Sequence, residues 1–204
     1  CNDTRLFDEF SGRSATKFYN IPVAIDPRYY HVDHLTEEER KKYSCDVCFV
    51  GAFDKKRERI LERINDMGNI NIKIFGWKGW EKSPLARLYH GPLTVGEMAK
   101  LFSCAKICMN ANVEPIINGL NMKNLEIPAS GGFQISDHPK DIDDFFTVGE
   151  EIIVYDKEDQ IPGLVKFYLA DKEARDRVIK AGQKKVLSEH TLDNRIRDIL
   201  AIIR

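Results

Sequence analysis

Between Gly119 and Asp137 the chain reads GLNMKNLEIPASGGFQISD. Asn121 can cap a short helix, Lys123 and Asn124 fall in its first turn, and Glu126 shares the Lys123 face at i and i+3. A helix N-terminus offers unpaired N–H groups and the positive end of a dipole, so a cation there makes sense when an anion docks beside it. The Glu126 carboxylate suits paired hydroxyls such as those of a ribose. The competing use of the two charges is an ion pair within the helix. Pro128 removes an N–H and disfavours helical geometry at Ile127, and Gly131 and Gly132 supply the exit.

Two other stretches carry related chemistry. In GAFDKKRERI, Gly51 ends a strand and Lys55, Lys56 and Arg57 open the next helix, an arrangement that a diphosphate would complete and that is otherwise a solvated basic turn. In LYHGPLTVGE, His90, Gly91 and Pro92 precede a helix capped by Thr94. Gly91 would let a flat base approach the backbone, although an ordinary strand-to-helix turn explains it equally well. The three-glycine dinucleotide fingerprint is absent, and so is the phosphate loop ending in Gly-Lys-Ser/Thr.

Other chemistry-bearing residues read as structural. Asp141 to Asp143 spell a two-carboxylate metal motif, but they sit with Asp144 at an acidic helix start, where carboxylates favour the dipole, so no metal is expected. His190 lies where one helix ends and Thr191 caps the next. The pairs Cys45/Cys48 and Cys104/Cys108 invite a zinc site, yet Cys45 opens an apolar run, and residues three apart on a strand face opposite ways. Buried free thiols are the expectation, five cysteines without a secretion signal being a poor disulfide framework.

These residues need a scaffold, and from Asp46 onward apolar runs alternate with amphipathic stretches, the mark of a parallel sheet flanked by helices. VCFVGA, INIKIFGW, KICMNAN, GFQISD and EEIIVYD read as strands. KKRERILERINDMG is a helix burying Ile60, Leu61 and Ile64 and stopping at Gly68, and Thr94 with Glu97 forms a capping box for LTVGEMAKLFSCA. PKDIDDFFTVG reads as an acidic helix. Three amphipathic helices form the tail, KEDQIPGLVKFYLAD, KEARDRVIKAGQKKVLSEH and TLDNRIRDILAIIR. The fold expected is an α/β, Rossmann-like domain over residues 45–204.

Residues 1–44 stand apart. CNDTRLFDEFSGRS has no helix or strand signature, YNIPVAIDPRYY reads as a strand and a turn, and LTEEERKKY as a charged surface helix or linker. With 31 basic and 32 acidic residues among 204, the chain lacks the basic excess of a nucleic-acid binder. No apolar run is long enough to span a bilayer and no secretory segment opens the chain, so a cytoplasmic location is expected. The start at Cys1 points to a fragment of a longer protein.

Five blocks in order, DVCFVGAFDKKRERIL, HGPLTVGEMAKLFSCAKICMNANV, NGLNMKNLEIPASGGFQISD, VGEEIIVYDKEDQ and EHTLDNRIRDIL, resemble the carboxyl-terminal part of the CgeB-like glycosyltransferases, related to the group 1 families with the GT-B fold. The resemblance implies the donor-binding half of a two-domain enzyme, with residues 1–44 as the crossover from a missing amino-terminal acceptor lobe. It implies a nucleotide diphosphate-sugar as substrate and no cofactor, with Glu126 on the ribose, Lys56, Arg57 and Lys123 offsetting diphosphate charge in place of a metal, and Gly91 with its neighbours on the base. Many retaining members carry two Glu separated by seven residues; here the first position is Asn118, with Glu114 four residues earlier. That departure keeps a non-catalytic nucleotide-binding or protein-docking module open, as well as an epimerase or phosphorylase on the same architecture.

Overall fold

Five short apolar runs pair into one parallel sheet in the computed structural model, which describes residues 3–11, 19–77, 79–113 and 116–203. The strands are β1 (Val47–Val50), β2 (Ile72–Phe75), β3 (Ile107–Asn110), β4 (Gln134–Asp137) and β5 (Ile153–Tyr155), in the order β2-β1-β3-β4-β5. Every neighbouring pair is parallel, with Val47 opposite Ile72 on one side and Ile107 on the other. Helices on both faces explain why β1 and β3 are almost continuously apolar and buried, whereas β4 carries Gln134, Ser136 and Asp137.

The helices are α1 (Thr4–Ser11), α2 (Glu37–Tyr43), α3 (Lys55–Asn65), α4 (Val95–Cys104), α5 (Lys123–Ala129), α6 (Ile161–Ala170), α7 (Lys172–Glu189) and α8 (Leu192–Ile203). α3 buries Ile60, Leu61 and Ile64 and packs with α6, whereas α5 packs with α4 and α7. β1–α3–β2 and β3–α5–β4 step outward in opposite directions from the sheet centre, so right-handed crossovers put α3 and α5 on opposite faces. The expected capping box is present, with Thr94 Oγ1 accepting from Glu97 N and Glu97 from Thr94 N.

Several local expectations need correction. The opening stretch contains a helix after all. α1 is anchored by tertiary bonds that its own sequence does not advertise: Asp3 accepts from Ile117 N (2.8 Å) and Asn118 N, while Thr4 donates from N and Oγ1 to Asp141. YNIPVAIDPRYY forms no paired strand; Ile25 makes a single parallel bridge to Thr191, and Pro27–Tyr29 is a 3-10 turn capped by Asp26. The acidic stretch after β4 shortens to a five-residue 3-10 helix, Lys140–Asp144, whose Asp141 N–H goes to Asn118 O. α5 begins at Lys123 with Met122 in the N-cap position, one residue beyond the expected cap, although Asn121 Oδ1 still accepts from Lys123 N at 2.9 Å.

Residues 19–44 lie against the sheet domain through Ile25, Tyr30 and Tyr43, all buried. α8 is amphipathic, yet Leu192, Ile196, Ile199, Leu200 and Ile203 are all exposed. Among the described residues no helix is long and apolar enough to cross a membrane.

Candidate donor site

The loops leaving β1 and β3 diverge to opposite faces of the sheet, and a crevice opens between them at the carboxyl ends of the strands, where ligands bind in open parallel sheets. This cavity of about 460 Å³ is lined on one side by Ala52, Phe53, Lys56 and Arg57 and on the other by Asn112, Ile116 and Ile117, with Asp137 from the end of β4. Lys56 and Arg57 reach it because α3 starts at Lys55, capped by Asp54, whose carboxylate accepts from Lys56 N at 2.8 Å.

Both cations are held and neither is saturated. Lys56 Nζ donates to Asp137 Oδ2 at 2.8 Å and to Asn112 O at 3.0 Å, leaving one of its three hydrogens. Arg57 donates from Nε and Nη2 to Ala111 O and from Nη1 to Ala52 O, leaving two of five. Its guanidinium lies 5.5 Å from the Phe49 ring centre, and burial pulls its pKa down against the attraction of Asp54 and Asp137; an arginine stays charged regardless. An anion entering the cavity would meet fixed positive charge with donors to spare.

Behind the cavity lies a polar lattice of asparagines. Asn121 Nδ2 donates to Asn112 Oδ1 (2.6 Å) and Asn110 Oδ1, Asn112 Nδ2 to Gly119 O, and Asn124 Nδ2 to Ser136 Oγ. Asn112 N donates to both oxygens of Asp137. Asn110, Asn112, Asn124 and Ser136 are buried, and buried amides demand this mutual satisfaction. The lattice fixes the β3–α5 loop relative to the ends of β3 and β4. Asn112 and Asp137 were missed as site residues; the only signal was polar residues at the carboxyl ends of strands.

The remaining candidates are distributed around this cavity. Lys123 Nζ lies 2.6 Å from Glu126 Oε2, so the ion pair within the helix is realised, and neither residue lines the cavity. Glu126 is 6% exposed and its other oxygen accepts from the Tyr30 hydroxyl at 2.7 Å. Gly51 carries the β1 end; its carbonyl accepts from Trp80 Nε1, and a Cβ on Gly76 would come within 2.1 Å of that oxygen, so the two strand-end glycines must lie back to back. His90 stacks on Phe75 at 5.3 Å and Gly91 O accepts from Gly76 N, both beside β2 and outside the cavity lining. Burial, with Lys73 nearby, lowers the His90 pKa. Glu114 lies outside the described residues.

The residues expected to be structural are engaged as such. His190 stacks on Phe145, is bonded to Phe145 O and Arg195 Nη2, and is pushed toward its neutral form by burial. Cys45, Cys48 and Cys108 are buried free thiols. Cys45 and Cys48 share one buried cluster with Cys108, because Cys45 precedes β1 and escapes strand alternation. Cys108 in turn donates to Phe102 O.

The family profile described as glycosyl transferase-like matches residues 56–201. No curated protein matches the chain significantly. Among solved structures, sucrose-phosphate synthase from Thermosynechococcus elongatus superposes over 100% of this chain and 56% of its own, at 12% identity and a TM-score of 0.77. HepE from Anabaena, in complex with UDP-glucose, superposes over 99% and 62%, at 9% identity and a TM-score of 0.76. The C-terminal domain of a group 1 family glycosyl transferase from Francisella tularensis, LpcC, superposes over 82% and 99%, at 12% identity and a TM-score of 0.61. The fold is therefore that of a GT-B carboxyl-terminal domain, and the chain spans about three fifths of the two larger relatives.

Proposed function

This chain belongs to the glycosyl transferase-like family, and we propose that it is the donor-binding half of an enzyme moving a sugar from a nucleotide diphosphate-sugar to an acceptor. The reading rests on one observation above all: the crevice between the β1 and β3 loops is lined by Lys56 and Arg57, each with N–H groups still unpaired. The diphosphate would take those donors, and its developing charge on sugar departure would be stabilised by groups already in position, the role a divalent metal fills in other transferases. Glu126, at the start of α5, would receive the ribose hydroxyls, with Lys123, Asn121 and Asn124 fixing that helix start. Gly51, His90 and Gly91 would border the base. HepE, which shares the fold, was captured with UDP-glucose, and that supports a nucleotide-sugar as the ligand class. The finer CgeB-like assignment, residues 1–44 as the crossover from an acceptor lobe, and a cytoplasmic setting belong to the same proposal.

Titration of the full-length protein with UDP, GDP and ADP by calorimetry tests it, repeated on Arg57→Met. One diphosphate should bind, and the variant should lose affinity for it. Absence of binding by all three would sink the donor reading. A second reading, a nucleotide-binding module without catalysis, is favoured by Asn118, which occupies the position of the first Glu and has its N–H tied to Asp3. Sugar transfer by the full-length protein would exclude that alternative.

A further inference from the structure

Tyr30 reaches Glu126 from a segment 96 residues away, its hydroxyl donating to Oε1 at 2.7 Å. Lys123 holds Oε2, but from the same helix, so it cannot fix the carboxylate relative to the rest of the molecule. Tyr30 can. Its ring is buried among Leu125, Ala129 and Ala99, and its backbone N–H closes the 3-10 turn on Pro27 O. That turn is clamped to the helical tail, since Ile25 N donates to His190 O and Leu192 N to Ile25 O.

We infer that Tyr30 is a positioning residue that fixes the Glu126 carboxylate to receive the vicinal diol of a nucleoside ribose. The inference rests on the donor reading above. An ionised carboxylate offers about four lone-pair positions. Tyr30 takes one on Oε1 and Lys123 one on Oε2, which leaves one acceptor on each oxygen, matching two adjacent hydroxyls. A carboxylate held by Lys123 alone would swing with that flexible side chain. One anchored on both oxygens presents its remaining lone pairs in a set direction, so the ordering is complete before the ligand arrives.

The test is calorimetric and uses the full-length protein with UDP, GDP and ADP, then with the 2′,3′-dideoxy form of whichever binds most tightly. Tyr30→Phe keeps the ring and deletes only the hydroxyl. It should weaken the ribose diphosphate roughly fivefold to tenfold and the dideoxy analogue less than about twofold, erasing discrimination between them. Glu126→Gln, which keeps the shape but removes the charge, should erase it too and gives the same readout should Tyr30→Phe fold poorly. An equal loss for both ligands, or unaltered discrimination in Tyr30→Phe, overturns the positioning role while leaving the donor reading intact. No binding of any diphosphate by the unmodified protein overturns both.

Discussion

Lys56 Nζ and Asp137 Oδ2 lie 2.8 Å apart across the candidate donor cavity, so the cation best placed for a diphosphate is already partnered by a carboxylate at the end of β4. A diphosphate docking there would have to share or displace that partner. Lys56→Met should weaken nucleotide diphosphate binding roughly tenfold to a hundredfold, the scale of a lost hydrogen bond to charge. Asp137→Asn should act the other way on affinity, a few-fold tighter, because it removes negative charge facing the phosphates. It should also lower stability by about 1–2 kcal/mol through its weaker bonds to Lys56 and Asn112 N. Calorimetry and thermal unfolding of the two variants separate these effects.

Acid should loosen the contact between α2 and α4. Backbone N–H of Thr94, then Lys42, hold the Glu97 carboxyl at a pKa of about 2, with Tyr43 also donating to it. A lowered folded pKa means that its stabilisation is complete above the ordinary carboxylate value near 4.5 and is lost as pH falls toward about 2. Glu97→Gln should flatten the unfolding free energy over that interval and leave its slope near neutrality unchanged, as denaturant titrations at stepped pH would reveal.

His138 titrates with the opposite sign. Burial favours its neutral form, but Asp156 Oδ1 at 2.7 Å and Asp143 Oδ1 at 3.1 Å outweigh it and raise the pKa. The charged clamp is therefore fully present below about pH 6.5 and disappears as pH rises through the raised folded value. In His138→Gln, loss of stability on going from pH 6 to pH 8 should be smaller than in the parent. An unchanged difference would argue against the clamp.

Gly182 sits mid-helix in α7, where glycine is a poor choice on propensity. A Cβ there would lie 2.4 Å from Glu151 O, which is backbone and cannot swing aside. Gly182→Ala should cost about 1–3 kcal/mol despite its better helix propensity. Gly96→Ala in α4, where a Cβ meets nothing within 4 Å, is the matched control and should be neutral or stabilising.

The sheet was legible because its strands are short, mostly apolar outside β4, and separated by helices with strong local signals, as with Thr94 and Glu97 or Ile60, Leu61 and Ile64. Lys56 and Arg57 were legible for the same reason: a cation in a first helical turn is locally disfavoured, and the conflict shows in the sequence. What escaped depends on distance along the chain. Tyr30 against Glu126, Asp3 against the 117–118 N–H groups and Lys56 against Asp137 are tertiary pairs with no periodic trace. The lattice of Asn110, Asn112, Asn121 and Asn124 was visible only as asparagines, a residue type equally at home in turns. Lys123 shows the limit from the other side, since its spacing fits both an anion site and the ion pair to Glu126, and only geometry reveals that it holds Glu126.

The bridge between Ile25 and Thr191 has a consequence for synthesis. Residues of the 3-10 turn leave the ribosome early, but the backbone groups of His190 and Leu192 that hold Ile25 emerge only near the end of this region. The β1–β4 core can close beforehand, while the Tyr30 segment stays without its clamp until the tail arrives. A nascent chain stalled before His190 should therefore carry a formed sheet with the Tyr30 turn, and so the α5 carboxylate, less firmly held than in the finished domain.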